Sequence, residues 1–222
     1  MNPDRMRDTL VLAVAASMVS IAAAYDDGAG KSWRQLTESQ VLSWSQVALV
    51  CPVGGIAPCK GRVGDVDFKG WTWATQQQVM ELFNRVLPDD PKRPNRGKLS
   101  TDHPGIGAGV AYFGLADDFL SNSFAPTSSF CVNYDCGEAV IGWTASQSRN
   151  GKAILGAVTW YRTPEKLDGD FSVDRLMATN EAHPEYGVWL WRPIAGVPEP
   201  ATTGLLAVGG LALLWRRRPR PA

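Results

Sequence analysis

The residues best suited to acid–base chemistry are few in this 222-residue chain. It has two histidines, His103 and His183, and each is followed by proline. Asp102 precedes His103, and a Ser/His/Asp hydrolase uses such residues as base and orienting acid. No Gly-x-Ser-x-Gly nucleophile elbow accompanies them. We therefore favour a solvated loop at Asp102 and His103, and keep a secreted hydrolase using this pair as the alternative.

Two short acidic clusters carry the hard oxygen ligands that calcium prefers. They are Asp65 with Asp67, and Asp168 with Asp170 and Asp174. Their spacing does not match the EF-hand loop, so turns or solvated edges are the favoured interpretation. A hydrolase acting through these clusters belongs to the same alternative. We expect no metal and no cofactor, because there is no third histidine and the cysteines are expected to be paired with one another.

Four cysteines form two closely spaced pairs, Cys51 with Cys59 and Cys131 with Cys136. An even cysteine count in an exported protein indicates disulfides. Local pairing is the prediction, because each pair would close a short loop. Cross-pairing is the alternative, since four cysteines allow three connectivities. A zinc site is disfavoured by the spacings C-x7-C and C-x4-C.

Tryptophan is abundant, with eight residues between positions 25 and 200. Aromatic side chains dominate core burial, so core packing is the prediction for most of them. Trp71/Trp73 and Trp189/Trp191 are separated by two positions, which places both members of a pair on one side of a strand. Because exposed tryptophans stack on sugar rings, these four residues are the candidate ligand surface.

The elements that must position these residues are read from capping signals and apolar runs. Ser43 and Thr75 each begin an S/T-x-x-Q capping box, which predicts helices at 43–50 and Thr75–Leu87. Residues 51–64 and 88–109, rich in proline and glycine, are predicted as loops. Apolar runs with β-branched and aromatic residues predict five strands: Trp33–Leu36, Val110–Leu115, Ala139–Ala145, Ile154–Tyr161 and Val188–Trp191.

Both ends of the chain read as targeting segments. Arg5 and Arg7 precede an apolar run and the small residues Ala22–Ala24, the pattern of a secretory signal peptide. We place the signal at 1–24, with cleavage after Ala24. Residues 25–200 then carry 16 lysines and arginines against 20 aspartates and glutamates, a net charge of −4. There is no basic patch, so nucleic acid is not an expected partner.

The C-terminal segment 197–222 has three parts in a fixed order. Pro198-Glu199-Pro200 is followed by an apolar run at 204–215 and by Arg216-Arg217-Arg218. The run is short for a bilayer core of about 30 Å, and the positive-inside rule keeps the arginines cytoplasmic. This order resembles the PEP-CTERM sorting signal, which implies recognition and removal by a membrane-embedded exosortase. A permanent tail anchor is the alternative.

The middle of the chain carries a second resemblance. Phe68–Thr75 leading into a helix, Ile141–Thr144 and Gly187–Arg192 are similar to PEP-CTERM proteins whose ectodomain is of the Lcl-type C-terminal kind. In this chain Thr72-Trp73-Ala74 replaces the Arg-Leu-Pro part of the family's helix entry. The resemblance implies an α+β fold for residues 25–196: an irregular, C-type-lectin-like single domain with short antiparallel strands and two helices. It implies no catalytic residues.

These observations predict an exported, non-catalytic protein. The signal peptide implies a secretion translocon as a partner, and the sorting signal implies exosortase and transient inner-membrane insertion through 204–215. Exosortase systems are associated with exopolysaccharide producers, so we expect a place at the cell surface or in the extracellular matrix of a biofilm. Exopolysaccharide is the candidate partner, and glycan binding the narrower expectation.

Overall fold

The computed structural model describes residues 24–87, 98–100, 104–108, 110–132, 135–162 and 167–194. The predicted signal peptide, the sorting segment and the pair Asp102/His103 lie outside the described residues. Within these ranges the chain forms twelve strands and three α-helices.

The helices are short, and a 3₁₀ turn at Leu36–Ser39 precedes them. They are α1 (Trp44–Ala48), α2 (Gln76–Val86) and α3 (Val110–Asn122). The strands of the first half are β1 (Tyr25–Asp26), β2 (Lys31–Trp33), β3 (Arg62–Val63), β4 (Val66–Asp67), β5 (Thr72–Trp73) and β6 (Gly105–Ala108). Those of the second half are β7 (Ser128–Val132), β8 (Asp135–Gln147), β9 (Ala153–Arg162), β10 (Leu167–Met177), β11 (Tyr186–Val188) and β12 (Leu190–Pro193).

Both predicted capping boxes are present. The Ser43 side chain accepts from the Gln46 amide, while the Gln46 side chain accepts from the Ser43 amide. Thr75 and Gln78 make the same reciprocal pair at the start of α2. These bonds satisfy amides that a helix start leaves without intrahelical partners. The predicted helices at 43–50 and Thr75–Leu87 are therefore confirmed.

Most of the strand residues belong to two sheets. The large sheet has the order β11-β8-β9-β10-β6, with β7 also paired to β8. Its pairs are antiparallel except for β11 with β8, which is parallel. The small sheet has the order β1-β2-β12-β5, and β3 with β4 forms a separate hairpin.

Two hydrophobic clusters lie on opposite faces of the large sheet. Val140 and Val158 face the first cluster, where α2 and α3 contribute Phe83 and Phe119 around the indole of Trp189. Successive side chains of a strand point to opposite faces. Ile141 accordingly belongs to the second cluster, which is built from six buried tryptophan, phenylalanine and cysteine side chains and their aliphatic neighbours. The aromatic and sulfur members of that cluster are Trp44, Phe68, Trp73, Trp143, Cys51 and Cys59.

Several secondary-structure predictions are wrong in whole or in part; for example, the predicted loop 51–64 contains the strand β3, and the predicted strand Val188–Trp191 is divided between β11 and β12. Val110–Leu115 begins the helix α3 and is not a strand, because a short apolar run does not by itself separate a buried helix from a strand. Part of the predicted loop 88–109 is the strand β6. Trp33 ends a strand that starts at Lys31, and Leu36 opens a 3₁₀ turn. The predicted strands in mid-domain are confirmed as parts of β8 and β9.

The α+β class is confirmed, but its description needs correction. The described part of the chain has three α-helices where two were predicted. The strands β8, β9 and β10 have 13, 10 and 11 residues, so the central sheet is long-stranded. The missed strand β10 alternates polar residues with Gly169, Phe171 and Val173, and its charged members obscured the pattern.

Candidate functional site

The candidate tryptophan surface does not form as predicted. Trp73 and Trp189 are fully buried, each with 0% exposure. Trp71 packs against the cluster that contains Trp73, and Trp191 against the cluster that contains Trp189. The rule that places i and i+2 on one side therefore holds, but that side faces the core.

The two half-buried members of the candidate surface, Trp71 and Trp191, have cationic side chains over their rings. The Arg192 guanidinium lies 4.6 Å from the ring centroid of Trp71, and Arg34 lies 5.7 Å from it. The Lys31 ammonium lies 4.9 Å from the ring of Trp191. Cations over an aromatic face are attracted by the ring quadrupole. These ring faces are therefore already occupied by the protein's own groups.

Both local disulfides are confirmed, Cys51 with Cys59 and Cys131 with Cys136. The first is buried in the second hydrophobic cluster. The second joins directly opposed residues of the β7–β8 hairpin, and both of its cysteines are exposed. All four thiols are therefore consumed by structural bonds.

The acidic clusters make protein contacts. The Asp67 carboxylate accepts from the Lys69 amide at 2.9 Å, as expected for a turn. Asp168 accepts from the Tyr161 hydroxyl at 2.7 Å, and Asp170 lies 3.6 Å from the Arg175 guanidinium. Among the described residues, no group of three histidine, cysteine or acidic side chains could hold a metal ion.

A groove of about 560 Å³ lies on the large sheet, where Thr159 and Tyr161 of β9 are paired with Asp170 and Asp168 of β10. It forms where two strands meet end to end along one edge of β8. Ser128 of β7 pairs with Ala139, and Tyr186 of β11 pairs with Ile141. Ala139 and Ile141 contribute the floor beside Thr159. The groove therefore sits at the junction of β7, β8, β9 and β11.

One wall of the groove is aromatic. Phe130 and Tyr161 pair with Gly137 from opposite sides. A Cβ atom at Gly137 would lie 2.7 Å from the Phe130 ring and 2.8 Å from the Tyr161 Cβ. The Trp160 backbone oxygen crowds the same point, so only glycine fits between Phe130 and Tyr161, and both of these side chains line the groove. Phe130 keeps 39% of its surface exposed, which is high for a large apolar side chain.

The opposite wall is a stacked pair of rings. The His183 imidazole lies 4.1 Å from the Tyr186 ring, centroid to centroid, at an interplanar angle of 19°. His183 Nδ1 accepts from the Glu185 amide, and Tyr186 packs edge-to-face on Trp143. The turn before β11 is thereby fixed against the core. These contacts give His183 a structural position in the wall.

The charged side chains that line the groove are Glu185 and Arg175, and Arg175 also lies beside Asp170. Burial raises the pKa of the Asp170 carboxyl, and the neighbouring Asp174 and Asp168 raise it further, while Arg175 lowers it. Burial also raises the pKa of the Tyr186 phenol, with Arg175 opposing the effect. Within the described part of the chain, Arg175 is thus the cation that lines the groove, and it is shared with Asp170.

Comparison with known proteins identifies the C-terminal segment. Residues 196–218 match the PEP-CTERM protein-sorting motif. The chain is thus an exported protein with a membrane-anchoring C-terminal sorting signal, which implies processing by exosortase. No curated protein and no solved structure matches the chain, so the resemblance to Lcl-type and C-type-lectin-like domains gains no support. The helices within the described ranges are too short or too polar to cross a membrane.

Proposed function

We propose that this protein is released from the inner membrane by exosortase and stays at the cell surface or in the extracellular matrix. The secretion translocon delivers it, and residues 204–215 hold it in the membrane until cleavage. The motif match at residues 196–218 carries this proposal. The two disulfides support it, because such bonds persist in oxidising compartments outside the cytoplasm.

The ectodomain acts there as a non-catalytic binding protein for exopolysaccharide in a biofilm. The groove supports this role, because it combines aromatic walls with a few polar groups, as small-molecule sites do. His183 supports it as well, since its ring and Nδ1 are engaged in the wall. The role is lectin-like, as the resemblance of the central motifs implied.

Mass spectrometry of the mature protein tests the delivery step. Protein is purified from cells with and without the sorting enzyme, and its terminal peptides are mapped. We expect cells with the enzyme to yield a chain that lacks everything beyond the Pro198-Glu199-Pro200 region. A mature chain that retains Arg216–Ala222 in those cells would identify a permanent tail anchor.

An activity screen tests the non-catalytic role. The processed protein is assayed against general esterase and glycosidase substrates beside a His103→Ala variant. We expect no turnover by either protein. Turnover that His103→Ala abolishes would establish the hydrolase alternative.

A further inference from the structure

We propose that the groove between Phe130, Tyr161 and Tyr186 binds an uncharged saccharide segment. This inference rests on the proposed exopolysaccharide-binding role and names both its site and its ligand class. It moves the sugar site away from the tryptophans, whose rings are buried or covered by cations. The volume of about 560 Å³ lies within the range of about 300–1,000 Å³ typical of ligand sites.

The aromatic walls suit the apolar face of a pyranose. A sugar ring presents C–H groups on its faces and hydroxyls at its rim. Phe130 and Tyr161 lie beside Gly137 on one side, and the His183–Tyr186 stack stands on the other. Aromatic side chains provide large contact areas at a low entropic cost, since few torsions need to be fixed. A sugar ring therefore finds an apolar surface on either side.

The polar groups suit the hydroxyl rim. Thr159 and Ser128 bring hydroxyls to the groove, and Glu185 brings a carboxylate. The Tyr161 hydroxyl is oriented before any ligand arrives, because it donates to Asp168 at 2.7 Å. Preorganised side chains lose less entropy on binding. The groove thus offers fixed donors and acceptors next to apolar ring faces.

The charge around the groove selects against acidic sugars. Glu185 brings a carboxylate to the groove, and Arg175, the lining cation among the described residues, already pairs with Asp170 at 3.6 Å. A uronate entering the groove would meet the like charge of Glu185, whose repulsion costs free energy. An uncharged saccharide avoids this cost.

The strand pairing selects against an extended peptide. Peptides commonly bind sheets by adding a strand to an open edge. At the groove that edge of β8 is paired to β7 up to Ala139 and to β11 from Ile141 onward. Its backbone groups already have partners, so recognition must come from side chains.

Isothermal titration calorimetry tests the proposal on the processed protein recovered from the producing cells. The probes are cellohexaose and mannohexaose as uncharged chains and hexagalacturonate as the acidic chain. We expect at least one uncharged probe to bind, and hexagalacturonate to bind at least tenfold more weakly. Failure of both uncharged probes, or preference for hexagalacturonate, overturns the proposal.

Three variants locate the site. Phe130→Ala removes an exposed ring and should weaken binding by about tenfold, as truncation of an aromatic anchor does. Leu49→Ala is the matched control, because it truncates an 81% exposed apolar side chain outside the groove. Trp71→Ala tests the tryptophan surface. Loss of binding in Trp71→Ala but not in Phe130→Ala overturns the assignment.

Glu185→Gln tests the charge argument without changing side-chain size. It should reduce the difference in affinity between the uncharged probe and hexagalacturonate. Near-ultraviolet circular dichroism checks that the fold of the variant is intact. An unchanged preference overturns this argument. The processing experiment is independent of these titrations. A cleaved chain that binds no uncharged probe overturns the groove site alone, and an uncleaved chain that binds one overturns the delivery proposal alone.

Discussion

The indole of Trp189 donates from Nε1 to the carbonyl oxygen of Gly156 at 3.0 Å. The same glycine leaves the space in which the indole lies, since a Cβ atom there would sit 3.0 Å from that nitrogen and 2.8 Å from Val79. The backbone of β9 is thus both the hydrogen-bond partner of the buried Trp189 indole and the surface against which it packs.

Gly156→Ala should therefore overpack the first hydrophobic cluster. Extra atoms in a filled core cost about 1–3 kcal/mol, and we expect a loss of that size in the free energy of unfolding. Gly114→Ala is the control, because Gly114 lies within α3 with open space around it. There alanine should stabilise by about 1 kcal/mol through helix propensity. Equal effects in urea titrations would refute the packing argument.

Ser172→Ala should leave stability unchanged or raise it by up to about 1 kcal/mol. The Ser172 hydroxyl is buried and has no hydrogen-bond partner among the described residues, and such a group carries a desolvation cost. Ser39→Ala is the matched control, because the Ser39 hydroxyl donates to Leu36 and accepts from the Val188 amide. Removing it should cost about 1–3 kcal/mol. Thermal melts of both variants check the contrast, and a destabilised Ser172→Ala would contradict it.

The two disulfides should be reduced in a fixed order. Cys131 and Cys136 are exposed at a hairpin, whereas Cys51 and Cys59 are 1% and 2% exposed. Thiol–disulfide exchange requires access to sulfur, so mild dithiothreitol should first release Cys131 and Cys136. Trapping with iodoacetamide followed by peptide mapping gives the order. Early alkylation of Cys51 would mean that the second cluster opens locally.

The burial of Asp170 predicts a pH dependence of stability. The pKa of the Asp170 carboxyl is raised in the native state. At pH values between its ordinary pKa and this raised pKa, the native state therefore binds more protons than the unfolded state. The free energy of unfolding then falls as pH rises through this window. In Asp170→Asn this contribution is absent, so its stability relative to the wild type should increase with pH. Urea titrations from pH 3 to pH 7 measure the difference, and a constant difference would argue against it.

Local signals predicted the local features. The capping boxes at Ser43 and Thr75 and the short spacing within each cysteine pair involve residues a few positions apart, so the sequence alone carried the information. The fate of the tryptophans depended on packing between distant segments. The Trp189 ring contacts the rings of Phe83 and Phe124, and no local sequence pattern predicts those contacts.

The groove could not be predicted because it depends on register. Thr159 and Tyr161 alternate with Val158 and Trp160, a pattern that indicates a strand in which one face is more polar than the other. The sequence does not show that Gly137 would pair with Tyr161 on one side and Phe130 on the other. Nor does it show that the turn holding His183 would stand opposite, because that placement requires the parallel pair of β11 and β8.

The position of β12 links the small sheet to the sorting motif. This strand lies between β2 and β5 in the small sheet, so the N-terminal hairpin β1–β2 lacks its inner neighbour until residues 190–193 emerge. The sorting motif begins three residues beyond β12, at residue 196. The strand that closes the small sheet and the start of the sorting motif are therefore neighbours in the chain, so a truncation that reaches back past the motif would also remove the inner strand of this sheet.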